Sequence, residues 1–97
     1  MLDIGEGTGA LVVYTSETVT GQEIEIRSHD GVWAGVHTAV RPRHVGDTVL
    51  HAGVFGSLPT GLYDLRVRGA ASRTIQTVRV ASGAVAETTL TGAEESP

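Results

Sequence analysis

Four histidines, His29, His37, His44 and His51, give this 97-residue chain its widest scope for chemistry. They stand 8, 7 and 7 residues apart, and strands zigzagging across a sheet could bring neighbours together. Neutral imidazoles gathered in that way bind zinc or copper. On one continuous strand, however, a step of seven sends His37 and His44 to opposite faces, and only a bulge near Pro42 restores a common face. No H-x-H or H-E-x-x-H pairing occurs, so neither a metal nor a cofactor is expected.

Trp33, His37, Arg41 and Arg43 form the expected binding group. On a regular strand His37, Ala39 and Arg41 share one face, with Val36, Thr38 and Val40 on the other, core-like face. Arg43 stays with Arg41 only if Pro42 leaves the register intact. An outward His with one or two Arg beside an exposed Trp can hold a small anion or carboxylate. The Trp can also stack on a sugar or a base. The plainer alternative pairs Arg41 and Arg43 with Glu23 or Glu25 on a neighbouring strand and makes Trp33 a core plug.

Catalytic patterns fare worse, and no catalytic residue is expected. Ser57 lacks a G-x-S-x-G elbow and reads as a turn residue, although Asp30 or Asp47 with a His could be imagined beside it. Glu23 and Glu25, two apart on a strand, stand roughly 6–7 Å from each other, a spacing that suits a glycosidase pair but also any solvated strand face. Gly5-Glu6-Gly7-Thr8-Gly9 precedes a strand and leads into no helix, so it is not a phosphate loop.

Short strands must position these groups. Ala10-Leu11-Val12-Val13-Tyr14 is an apolar run of buried-strand length. Gln22 to Ser28 alternates, with Ile24 and Ile26 inward and Glu23, Glu25 and Arg27 toward water. His29-Asp30-Gly31 is a turn. Further strands are expected at Val36–Val45, Thr48–Phe55, Leu62–Arg68, Arg73–Val80 and Val85–Leu90. In the fifth of these seven, Leu62, Asp64 and Arg66 face one way and Tyr63, Leu65 and Val67 the other. Leu58-Pro59-Thr60-Gly61 is the corner before it, with φ preset at Pro59 and positive at Gly61. Seven short strands with regular turn signals predict an all-β, antiparallel Greek-key sandwich. The expected organisation is a flexible leader over 1–9, one domain over 10–91 and a disordered acidic tail over 92–97. The core should contain Leu11, Val13, Ile24, Ile26, Val36, Val40, Leu50, Phe55, Leu58, Tyr63, Leu65, Val67, Ile75 and Leu90.

A net charge of −4 argues against nucleic-acid and anionic-membrane partners. The seven basic residues are all Arg, which GC-rich coding explains as well as selection for bidentate anion binding does. The absence of Cys excludes disulfides and thiolate sites. With no basic n-region or apolar h-region near Met1, the reading is a cytoplasmic protein.

The run Phe55-Gly56-Ser57-Leu58-Pro59-Thr60-Gly61-Leu62-Tyr63-Asp64-Leu65-Arg66-Val67, with Val19-Thr20-Gly21-Gln22-Glu23-Ile24 before it, resembles transthyretin-like and carboxypeptidase-regulatory-like (prealbumin-like) sandwich domains. The two segments cover about a third of the chain, and the His- and Arg-bearing stretch at 36–45 departs from the pattern. The resemblance implies a prealbumin-like sandwich acting as a non-catalytic accessory or binding module for a protein or small-molecule ligand. The general layout is also similar to small bacterial proteins labelled phospholipases, a label that falls on no residue here. The alternatives are a His-based metal-binding protein, a small hydrolase, or an assembly subunit that self-associates through the edge strand before Pro42.

Overall fold

The computed structural model describes residues 7–16, 21–68 and 75–90. Eight strands follow in order: β1 (Thr8–Thr15), β2 (Glu23–Ser28), β3 (His37–Ala39), β4 (Arg41–Val45), β5 (Thr48–Pro59), β6 (Gly61–Val67), β7 (Gln76–Val80) and β8 (Val85–Thr89). They form two four-stranded sheets, ordered β4-β5-β1-β8 and β3-β2-β6-β7. Side chains from both close over a core of Leu11, Val13, Ile24, Ile26, Val40, Phe55, Leu58, Tyr63, Leu65, Val67, Val80 and Leu90. The result is a β-sandwich, as the strand count and turn spacing imply.

It departs from an all-antiparallel sandwich at one pair. The β3-β2-β6-β7 sheet is antiparallel throughout, whereas β8 lies parallel to β1, from Ala10 opposite Val85 to Tyr14 opposite Thr89. The turn after β7 carries the chain across to the other layer at the end where β1 begins. There Gly83 N–H donates to the Thr8 carbonyl and Ala10 N–H to the Ala84 carbonyl. Thr8 and Gly9 thus belong to β1 rather than to a leader. Gly9 is required at this crossing, because a Cβ on it would stand 2.3 Å from the Ala81 carbonyl oxygen.

The single strand expected over 36–45 is two strands in different sheets. β3 pairs with β2 and β4 pairs with β5, and the chain changes layer at Val40. Val40 is 1% exposed, and its N–H donates to the Gln22 carbonyl while its own carbonyl accepts from Gly21. β4 then runs along the sheet edge, where Pro42, lacking an N–H, costs no ladder bond. The Leu58–Gly61 segment is likewise a corner between layers, since β5 and β6 lie in different sheets. Gly61 has the expected positive φ, and the buried Tyr63 ring reaches back to donate its hydroxyl to the Pro59 carbonyl, a corner lock familiar from Greek-key sandwiches.

Three expected core residues are exposed. Leu50 shares the outward face of β5 with Ala52 and Val54, Ile75 immediately precedes β7, and Val36 lies in the loop before β3. Val80 is buried in their stead. Segments 1–6, 73–74 and 91–97, which include most of the expected leader, the start of the sixth strand and the tail, lie outside the described residues.

Candidate binding face around Trp33

β2 and β6 run antiparallel with Glu25 opposite Arg66 and Arg27 opposite Asp64, so their outward side chains alternate in sign across the ladder. Arg66 donates from Nε and Nη2 to Glu25 Oε1 at 3.0 and 2.8 Å. Arg27 Nε donates to Asp64 Oδ2 at 2.8 Å. Glu25, expected in water, is 5% exposed, and Asp64 is 1% exposed. The loop at 29–36 covers them: Trp33 lies over both guanidinium groups, 4.5 Å from the carbon of Arg27 and 4.0 Å from that of Arg66. Trp33 is half-buried on this outer face and is not a core plug. Each cation–π contact contributes about 0.5–2 kcal/mol, more as solvent is excluded.

Asp64 anchors the loop. Besides Arg27 it accepts bonds from His29 Nδ1, the Thr77 hydroxyl and the Asp30 N–H at 2.8, 2.8 and 3.1 Å. The expected Asp-Gly turn supplies the last of these, because Gly31 N–H closes on the Ser28 carbonyl and Asp30 takes φ of 62°. Burial pushes the Asp64 carboxyl up, but the four bonds to its charged form outweigh that and hold it well below the usual carboxylate range. The hydrogen bond to Asp64 raises the His29 pKa against the opposing effect of burial.

His29, Asp30 and Asp64 are the group among the described residues whose ligand atoms lie close enough for a metal, within 4.8 Å of one another. The donor set does not fit one. Both Asp64 oxygens already accept two donors each, and both His29 nitrogens face carboxylates, Nε2 at 3.3 Å from Asp30 Oδ2. With both nitrogens engaged, the ring is held in place rather than left free to act as a general base. The other histidines lie elsewhere: His37 on β3, His44 on β4 and His51 on β5. Ser57 is exposed on β5 within the bulge that sets four residues, Phe55 to Leu58, against three on β1, Gly9 to Leu11.

Of the four residues expected to bind together, the structure places two, Trp33 and His37, on one sheet face. His37 stands at the margin of the Trp33 face, its Nδ1 2.7 Å from the Gly35 carbonyl and its Nε2 3.3 Å from Glu23. Arg41 and Arg43 lie on β4 in the other sheet. The carboxylates offered to them are occupied, Glu23 by Arg68 and His37 and Glu25 by Arg66. Arg66, Arg68, Asp64 and Thr77 are the members that sequence reasoning missed. A readable signal existed: Glu23-x-Glu25-x-Arg27 set antiparallel to Asp64-x-Arg66-x-Arg68 matches opposite charges at every step.

Beneath the loop, Val32, Ala34 and Val36 turn away from the Trp33 side and line an apolar cleft of about 300 Å³ with Ile26, Leu58 and Tyr63. A broader depression of about 530 Å³, at Tyr14, Leu50, His51 and Thr89, holds no carboxylate or guanidinium.

The fold and this face define a small all-β sandwich with one charge-lattice surface. No family model matches the chain, and no curated protein does. Among solved structures it is similar to the Bacillus anthracis TIE protein, with a TM-score of 0.56 and 18% identity over 88% of this chain. That match takes in 16% of the TIE protein chain, so this chain spans about a sixth of its length, and the likeness is one of fold.

Proposed function

We propose that this protein is a non-catalytic binding module whose ligand face is the outer surface of the β3-β2-β6-β7 sheet at Trp33 and His37, and that its ligand is an uncharged ring, a saccharide. The observation that carries this reading is the Trp33 ring laid over two guanidinium groups that are each fixed by a buried carboxylate. Arg27, Arg66 and Arg68 are balanced one for one by Asp64, Glu25 and Glu23, so an anion meets no net attractive field. A pyranose does not need one. Its apolar face stacks on an indole, and its hydroxyls bond to half-exposed ionic groups such as Arg66, Arg68 and Glu23. The resemblance of Phe55–Val67 to transthyretin-like and carboxypeptidase-regulatory-like domains supports an accessory rather than a catalytic role.

Trp33 is the sole Trp of the chain, so its emission reports on the face directly. Titration with neutral oligosaccharides should shift that emission saturably. By isothermal titration calorimetry, Trp33→Ala should abolish binding of the active sugar while Arg41→Ala preserves it. Binding that survives Trp33→Ala, or a panel of neutral and acidic sugars that all leave the emission unchanged, would overturn the proposal.

A further inference from the structure

We propose that the outer face of the β4-β5-β1-β8 sheet is a homotypic interface, on which a second copy of this chain packs face to face. The two sheets present opposite outer surfaces. That of β3-β2-β6-β7 is a lattice of paired charges, whereas the central strands β1 and β5 of the other present Val12, Tyr14, Leu50 and Val54. Parity fixes this assignment: Leu11 and Val13 point into the core opposite Phe55 and Gly53, which turns their neighbours outward. β1 is therefore apolar on both sides, the pattern of a strand covered on both faces. The flanking strands extend the stripe with Val85 and Val45, 47% and 59% exposed.

Charge identifies the occupant. Arg41 and Arg43 project along the β4 border and take part in no ion pair among the described residues, while the β8 border carries Glu87, whose one partner there is the Tyr14 hydroxyl at 3.3 Å. A two-fold axis lying between the faces and parallel to the strands sets β4 of one copy over β8 of the other. It matches apolar stripe to stripe and brings Arg41 to Glu87 twice per dimer, with Arg43 one step further along the same border. Arg41 aligns with Tyr14 and Glu87 with Val12, an axial offset of two residues or about 6.6 Å, within reach of an Arg side chain.

Size sets the strength. Four strands at about 4.8 Å spacing and five residues at about 3.3 Å rise give a footprint of roughly 320 Å² per copy. That is small beside the roughly 800 Å² per partner of a standard stable interface, so the dimer is reversible, with a Kd in the micromolar range or weaker. The inference is independent of the Trp33 reading.

Sedimentation equilibrium of the full chain from about 10 μM to 1 mM tests it. A monomer–dimer equilibrium is expected. Leu50→Glu, at a position 37% exposed, should abolish dimerisation while leaving the circular dichroism spectrum unchanged. Glu87→Arg should raise Kd about tenfold or more, and adding Arg41→Glu with Arg43→Glu should restore it. A strict monomer at 1 mM, a dimer indifferent to Leu50→Glu, or a charge swap without rescue would each overturn the proposal; the first would assign the face to another partner or to the chain's own remaining segments.

Discussion

Replacing Asp64 with Ala should cost about 3–5 kcal/mol of folding stability, the range for stripping one partner from a buried ion pair. The carboxylate is 1% exposed and accepts four hydrogen bonds, and its loss leaves the Arg27 guanidinium, whose side chain is 19% exposed, without a counter-charge. A domain of this size holds about 5–15 kcal/mol in total, and its Tm moves about 4–8 °C per kcal/mol, so a fall of about 12–40 °C is expected. Asp64→Asn should cost far less, about 1–2 kcal/mol. Its carbonyl can keep the Arg27 and Asp30 donors, while Thr77 rotates its hydroxyl and His29 changes tautomer to accept from the new NH₂. Thermal denaturation followed by circular dichroism gives the ordering, and Trp33 emission should shift to the red in the Ala variant as the loop loses its anchor. An Asp64→Ala midpoint within 5 °C of the parent would refute the view that this carboxylate holds the loop to the sheet.

Stability should peak at mildly acidic pH. His29, its pKa raised, contributes fully below the ordinary histidine value of about 6.5, and that contribution fades as pH rises through its folded value. Asp64, its pKa depressed, contributes above the ordinary carboxylate value of about 4, and that contribution fades as pH falls through its folded value. Midpoints measured from pH 3 to 9 should therefore decline on the alkaline side, and His29→Asn should remove that decline; an unchanged profile would contradict it. Arg66→Ala should destabilise more than Glu25→Ala, because the group left behind in the first case is the buried one, 6% against 39% side-chain exposure. Equal urea midpoints for the two would count against that asymmetry. Gly9→Ala should cost about 3 kcal/mol, since the new methyl meets the Ala81 and Ala84 carbonyls at 2.3 and 2.9 Å, and both are backbone. A chemical-denaturation midpoint equal to the parent's would show that this turn yields easily.

Sequence carried the fold further than the site. Alternation in Ile24–Ile26 and Tyr63–Leu65–Val67 identifies the inward faces correctly because each of those strands keeps one parity throughout. The same rule fails for 36–45, where the chain changes sheets at Val40: parity continues along the sequence, but Arg41 and His37 end in different layers. It fails again for Glu25, whose outward position is read correctly and whose burial is not. The covering group, Trp33, arrives from a loop with no periodicity of its own. The parallel placement of β8 is invisible locally, because nothing in Val85–Thr89 encodes which edge of which sheet receives it.

That parallel placement sets how a pull on the two flanks of the domain would act on it. Polypeptide comes in at Thr8 and goes out beyond Leu90 at opposite ends of adjoining strands, roughly 20 Å apart at strand rise. Tension on the two flanks slides these neighbours past each other, so the rungs between them resist together instead of opening one after another as in an unzipping hairpin. Stretching along the strand axis thus loads the β1–β8 rungs in shear, while a pull across the strands peels them from an edge.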